Sequence, residues 1–140
     1  MAIESINPAT GETIATYDEM SGEEVAGIVE ACHEAQRGWR QTSFAHRAEK
    51  MRRAAELLRE RKEELARLMA REMGKPVTGG RSEVDKCAWV CEHYAEHAEA
   101  MLADQPAETD AAKSYVHFEP LGVVLAVMPW IFPLWQVFRF

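Results

Sequence analysis

Four side chains on one short stretch could ligate a metal: Cys87, Cys91, His93 and His97. Thiolates and imidazoles are zinc ligands, and a tetrahedral site needs them to converge on one point. A helix over this stretch turns by roughly 100° per residue, which sets the two cysteines on one side and the two histidines well around from them. One helix cannot wrap all four around an ion. The cysteines share an apolar face, which reads as core packing, and the histidines read as surface side chains. Neither cysteine falls at a helix N-terminus or beside an evident base, the settings that activate a thiol. Gly79 and Gly80 follow no strand and Gly122 opens one, so these residues hold neither a phosphate loop nor a complete dinucleotide fingerprint.

The elements that would carry such side chains follow from periodicity. Residues 2 to 17 read as a short hairpin or a pair of extended segments, with Ile3, Ile6, Ile14 and Tyr17 set around the turn formers Asn7, Pro8 and Gly11. Ser21 is placed to cap a helix, with Glu24 able to reach back to it, and Val25, Ile28, Val29, Cys32, Ala35 and Trp39 follow at helical spacing. Gly38 frays its end. Ser43 caps a second helical stretch to Met73, with Met51, Ala54, Ala55, Leu58, Leu65, Leu68 and Met69 on its apolar face. That face lapses over the charged turn from Arg59 to Glu64, which predicts a break. Gly74 and Pro76 stop the stretch. Charges such as Glu56 and Glu60, or Glu63 and Arg67, read as a solvated helix surface. A third helix is expected from Ser82 to Leu102, burying Val84, Cys87, Ala88, Cys91, Tyr94, Ala95, Ala98, Met101 and Leu102, with its first turn weakened by Gly79 and Gly80. SYVHFEP then reads as a half-exposed strand and GVVLAVMP as a strand buried on both faces. There is no internal repeat.

With 140 residues, of which 47% are hydrophobic and 28% charged, the chain reads as one globular domain or a piece of one. Sixteen basic against 23 acidic side chains give a net charge of −7, which excludes nucleic acid as the main partner. Three cysteines with no C-x-x-C spacing suit free thiols in a reducing compartment, and MAIESINPATGE has no leader character, so cytoplasm is expected. From Leu121 to Phe138 there is no charge, and the chain stops at Phe140, so the domain reads as unfinished. Three readings of that run stand side by side. A membrane span would be interrupted by Pro129 and Pro133. A parallel strand ending at Met128, then a turn and a helix from near Pro133, obeys the local rules and would place a ligand site at the strand's carboxyl end. An exposed interaction patch is the third.

EPLGVVLAVMPWIFPLWQVFRF resembles the EPLGVV and PWNFP region of the aldehyde dehydrogenase superfamily. NPATGE, EMGKP and KCAWVCEHYAEHAE match that family in the same order, so the resemblance covers essentially the whole chain. Its nearest look is to bacterial NAD(P)-dependent succinate-semialdehyde dehydrogenases. The resemblance implies an α/β class: the N-terminal part of the aldehyde dehydrogenase fold, with a hairpin and helices over 1–113, an oligomerisation-arm strand over 114–120, and the first strand-helix unit of a Rossmann-like cofactor domain over 121–140. It implies oxidation of a small aldehyde to a carboxylate through a cysteine thiohemiacetal, with hydride passing to NAD or NADP. Met128, Pro129 and Trp130 match cofactor-contacting positions, and Phe132 and Trp135 match the aldehyde tunnel. Arg139 lies eight residues beyond Ile131, where relatives acting on succinic semialdehyde hold the distal carboxylate. A guanidinium forks onto a carboxylate with two parallel bonds, although a lone arginine at a helix end also suits plain surface charge. The expected partners are the aldehyde and further copies of the full-length chain, with no membrane.

Two departures stand out. Ile131 occupies the position of the family's asparagine, whose side-chain amide donates to the developing oxyanion. Isoleucine has no donor. None of Cys32, Cys87 and Cys91 matches the nucleophile, and no glutamate matches the base, so the chain by itself is expected to be inactive. A competing expectation is a small helical interaction module that docks a partner through its hydrophobic C-terminal segment.

Overall fold

Ser21 and Ser43 each start a helix, because each can stay extended while its hydroxyl takes up a free amide of the first turn. In the computed structural model, which describes residues 2–139, Ser21 (φ −69°, ψ 156°) accepts from the Glu24 N–H at 3.2 Å. Glu24 returns the bond, accepting from the Ser21 N–H at 2.7 Å, and this capping box holds the Glu24 carboxyl below its ordinary range. Met1 and Phe140, the outer bounds of the first and last segments expected from sequence, lie outside the described residues.

The hairpin forms as expected: β1 (Ile3–Ile6) pairs antiparallel with β2 (Thr13–Tyr17), with Gly11 at φ +74° in the turn. Ser5 Oγ ties it to Glu72 at 3.1 Å. Helix α1 (Gly22–Trp39) follows with no buried residue: Val25, Ile28 and Val29 of its apolar stripe stay exposed, and Trp39 meets the His46 ring edge-on, with centroids 6.1 Å apart. The expected break in the second stretch falls at Arg61, separating α2 (Phe44–Glu60) from α3 (Lys62–Met73). Gly74, at φ +71°, ends α3 in the left-handed region that favours glycine.

The third helix begins earlier than its sequence suggests. Helix α4 runs Val77–Met101, five residues ahead of Ser82, with Pro76 as its N-cap and the Gly80 N–H bonded to the Pro76 carbonyl at 2.9 Å. The intrinsic cost of Gly79 and Gly80 in a helix, about 1 kcal/mol each, is outweighed by packing. Gly80 is buried against Ala66 of α3, where a side chain would be crowded. The core lies between α2, α3 and α4 and consists of Ala55, Leu58, Met69, Val84, Cys87, Ala88 and Cys91. Cys87 and Cys91 are fully buried there. Leu68, Met101 and Leu102, expected inward, are exposed. Around this core, ion pairs link the helices: Lys62 with Asp85 at 3.0 Å, and Glu63 with Arg81 of α4 rather than with Arg67. Exposed pairs of this kind contribute modestly.

Beyond α4 the chain is mostly irregular. The half-exposed strand narrows to β4 (Tyr115–Val116), paired antiparallel with β3 (Gln105–Pro106). The buried strand expected over residues 122–129 does not form: no ladder joins it among the described residues, and Leu125 and Val127 are 88% and 90% exposed. A strand needs a neighbour to take its backbone N–H and C=O groups, and here none is present. The chain closes with the short helix α5 (Trp135–Phe138), which packs on α4. Among the described residues, no helix is long and apolar enough to cross a membrane.

His117, just past β4, is held by Asp104 at Nδ1 and by Glu119 Oε1 at 3.2 Å from Nε2. The Asp104 hydrogen bond, followed by its charge and then by Glu119, raises the imidazole above its ordinary 6.5. A raised histidine stabilises the fold fully below 6.5 and loses that contribution as pH climbs through the raised value. An NMR titration of His117 should therefore give a midpoint above 6.5, and Asp104→Asn should lower it; an unmoved midpoint would remove this link.

Candidate functional site

The start of α4, the link before it and the turn leading into α5 enclose a groove of about 490 Å³. Phe132, Trp135 and Arg139 line one side, with Lys75, Glu83 and Lys86 opposite. Of the residues singled out from sequence, these first three are brought together. Lys86 Nζ lies 3.8 Å from the centroid of the Trp135 ring, and Lys75 Nζ lies 4.1 Å from that of Phe132. Tyr94 donates to the Arg139 carbonyl at 3.4 Å. The groove is thus lined by two aromatic residues, by Lys86 and Arg139, and by Lys75 and Glu83, whose charges pair with each other.

Beneath the groove is a buried charge pair. The side chains of Lys75 and Glu83 are 11% and 2% exposed, and Lys75 Nζ binds Glu83 Oε2. Glu83 Oε1 accepts from the backbone N–H of Leu134 at 2.9 Å and of Trp135 at 3.0 Å. Lys75 also donates to the Ile131 carbonyl at 3.4 Å. Both carboxylate oxygens are used, which is what makes burying this charge tolerable. Sequence reasoning missed the pair. Its signal was present: Glu83 sits at helical spacing among Gly80, Val84 and Cys87, a charge within an apolar stripe.

The other candidates lie elsewhere. Trp130 is exposed and lines one hollow with Leu68, Met69 and Met73 of α3 and another with Ile3 and Tyr17 of the hairpin, while the Arg139 groove does not include it. Met128 is half-buried and Pro129 exposed. Cys87 is pushed up to about 12, first by burial and then by the Glu83 charge, and Cys91 is raised by burial. Both stay as thiols at neutral pH, unsuited to nucleophilic attack. His93 stacks between Trp89 and His97, with ring centroids 5.6 Å and 4.6 Å away. Among the described residues, no group of three or more histidine, cysteine or acidic side chains is placed to hold a metal.

The family model described as "Aldehyde dehydrogenase family" matches residues 1–139. The chain belongs to the aldehyde dehydrogenase family. It is 49% identical over 140 residues to a probable NADP(+) succinate-semialdehyde dehydrogenase of Synechocystis sp., covering 100% of this chain and 31% of that one. It is 43% identical over 135 residues to the NAD(P)+ succinate semialdehyde dehydrogenase Sad of Escherichia coli, covering 96% of this chain and 29% of the relative. The structure superposes with a TM-score of 0.91 on the Streptococcus pyogenes succinic semialdehyde dehydrogenase solved with NADP+, at 34% identity, covering 97% of this chain and 30% of that one. The chain therefore spans about 30% of the length of these aldehyde dehydrogenases and reproduces the N-terminal part of their fold.

Met128, Pro129 and Trp130 carry no cation or hydroxyl for a phosphate or ribose, and Glu72 lines both hollows beside Trp130. An anionic neighbour opposes a pyrophosphate.

Proposed function

We propose that this chain serves as the N-terminal part of a cytoplasmic, homo-oligomeric aldehyde dehydrogenase that uses NAD or NADP to oxidise succinic semialdehyde, or a similar small aldehyde, to its carboxylate. The observation that carries this reading is the grouping of Phe132, Trp135 and Arg139 on one groove, two aromatic residues and an arginine. In this reading Arg139 forks onto the distal carboxylate and the two rings flank the carbon chain. Residues 1–113 supply the hairpin and helices, 114–120 the oligomerisation strand, and 121–140 the opening of the nucleotide-binding sheet. Met128, Pro129 and Trp130 contribute only part of the cofactor's contacts, and the nucleophile and base come from other residues of the full-length enzyme.

The test is kinetic. In the full-length enzyme, Arg139→Gln should raise KM for succinic semialdehyde by roughly tenfold to a hundredfold, the worth of a charge-assisted pair, with little change for an uncharged aldehyde such as propanal. Equal effects on both aldehydes would remove Arg139 from substrate binding. The 140-residue chain alone should reduce neither NAD nor NADP.

The exposed run including Leu121, Leu125 and Val127 favours a second reading, a helical module that docks a partner through this segment. Analytical ultracentrifugation separates the two. A monodisperse chain supports the module, and heterogeneous aggregation supports a part of a larger enzyme.

A further inference from the structure

We propose that Glu83 is a positioning residue, and that its buried carboxylate sets the place of the 131–135 turn through two routes at once. Oε1 takes the backbone N–H groups of Leu134 and Trp135, which fixes where α5 begins and how Trp135 enters the groove. Oε2 holds the Lys75 ammonium, which in turn binds the Ile131 carbonyl and lies over the Phe132 ring. Every residue from 131 to 135 except Pro133 is thus tied, directly or through Lys75, to one carboxylate on α4. Proline has no N–H to tie.

This arrangement answers a physical need. The turn follows an exposed, unladdered segment, and α5 has only four residues, too few to hold itself by its own hydrogen bonds. A charged acceptor makes a stronger bond to a backbone N–H than a neutral one. Glu83 is carried by the most deeply buried part of α4, next to Val84 and two turns ahead of Cys91, so its own position is set by the core. The rigid helix therefore transmits its placement to a turn that lacks intrinsic structure. The importance of that placement for an aldehyde rests on the function proposed above, whereas the tether itself does not.

The experiment is amide-resolved hydrogen exchange on the full-length enzyme, comparing wild type with two double variants, Lys75→Met, Glu83→Gln and Lys75→Met, Glu83→Met. Both leave no unpaired buried charge, so the fold is retained. Lys75→Met, Glu83→Met removes the acceptor, and exchange at Leu134 and Trp135 should quicken by about tenfold or more, with the middle of α4 unchanged. Lys75→Met, Glu83→Gln keeps an acceptor oxygen and should retain most of the protection. Unchanged exchange at both amides in Lys75→Met, Glu83→Met overturns the proposal, as does a loss of protection in Lys75→Met, Glu83→Gln as full as in the other variant. If instead the substrate reading fails, these rates stand and only the kinetics of the full-length enzyme depart from expectation.

Discussion

Replacing Ile131 by asparagine in the full-length enzyme is expected to raise kcat by about a hundredfold to a thousandfold, the usual worth of one oxyanion donor. Ile131 is 62% exposed in this chain, and its backbone carbonyl accepts from Lys75. Ile131→Asn therefore exchanges an uncommitted side chain for one with an N–H donor and leaves the turn as it is. Thermal stability should stay the same and KM should change little, because the donor acts on charge that develops only in the transition state. Steady-state rates of the two enzymes on one aldehyde decide the matter. Equal kcat values would mean that position 131 does not face the reacting oxygen, and the resemblance of PWIFP to the family turn would then be one of sequence alone.

The second large effect concerns two adjacent glycines that should respond with opposite signs. A Cβ on Gly80 would stand 3.0 Å from Ala66 Cα, 3.1 Å from its Cβ and 3.2 Å from its carbonyl oxygen, so the backbones of α3 and α4 would have to part. Overpacking of this kind costs about 1–3 kcal/mol, more than the roughly 1 kcal/mol of helix propensity that alanine brings. Gly80→Ala should lower stability, and Gly80→Val should lower it further, by about 3 kcal/mol, as the added methyls meet the same wall. At Gly79 a Cβ would meet only Lys75 Cε at 3.8 Å and Cγ at 3.9 Å, which is ordinary contact. Gly79→Ala should therefore stabilise by about 0.5–1 kcal/mol. Urea unfolding monitored by helical circular dichroism reads both. Two substitutions of the same sign would show that the α3–α4 approach is looser than the structure has it.

Local rules were legible wherever the determinant was local. The Ser21 capping box, the hairpin around Gly11, the charged break at Arg61 and the stop at Gly74 are each settled within a few residues. The apolar spacing that buried Cys87 and Cys91 ran true for the same reason, since helical period alone places them on one face. The start of α4 was not legible, because the cost of two glycines could be read from composition while the compensating contact with Ala66, on another helix, could not. Nor could the state of residues 122–129 be read. Their composition records a preference for burial on two faces, but a strand exists only when another strand accepts its hydrogen bonds.

At the candidate site the sequence by itself determined the kinds of chemistry: a guanidinium at Arg139, aromatic rings at Phe132 and Trp135, and no donor at Ile131. It also carried enough pattern to place the chain in its family. The tertiary structure alone decided which of these meet. Trp130 turns to α3 and the hairpin, while Phe132, Trp135 and Arg139 turn to α4, although one segment carries all four. The partition is made by Glu83 and Lys75, some fifty residues earlier in the chain, whose buried pair captures the backbone of the turn. Side-chain type is a property of the sequence, but the capture of a backbone N–H by a distant carboxylate requires the core that brings them within 3.0 Å.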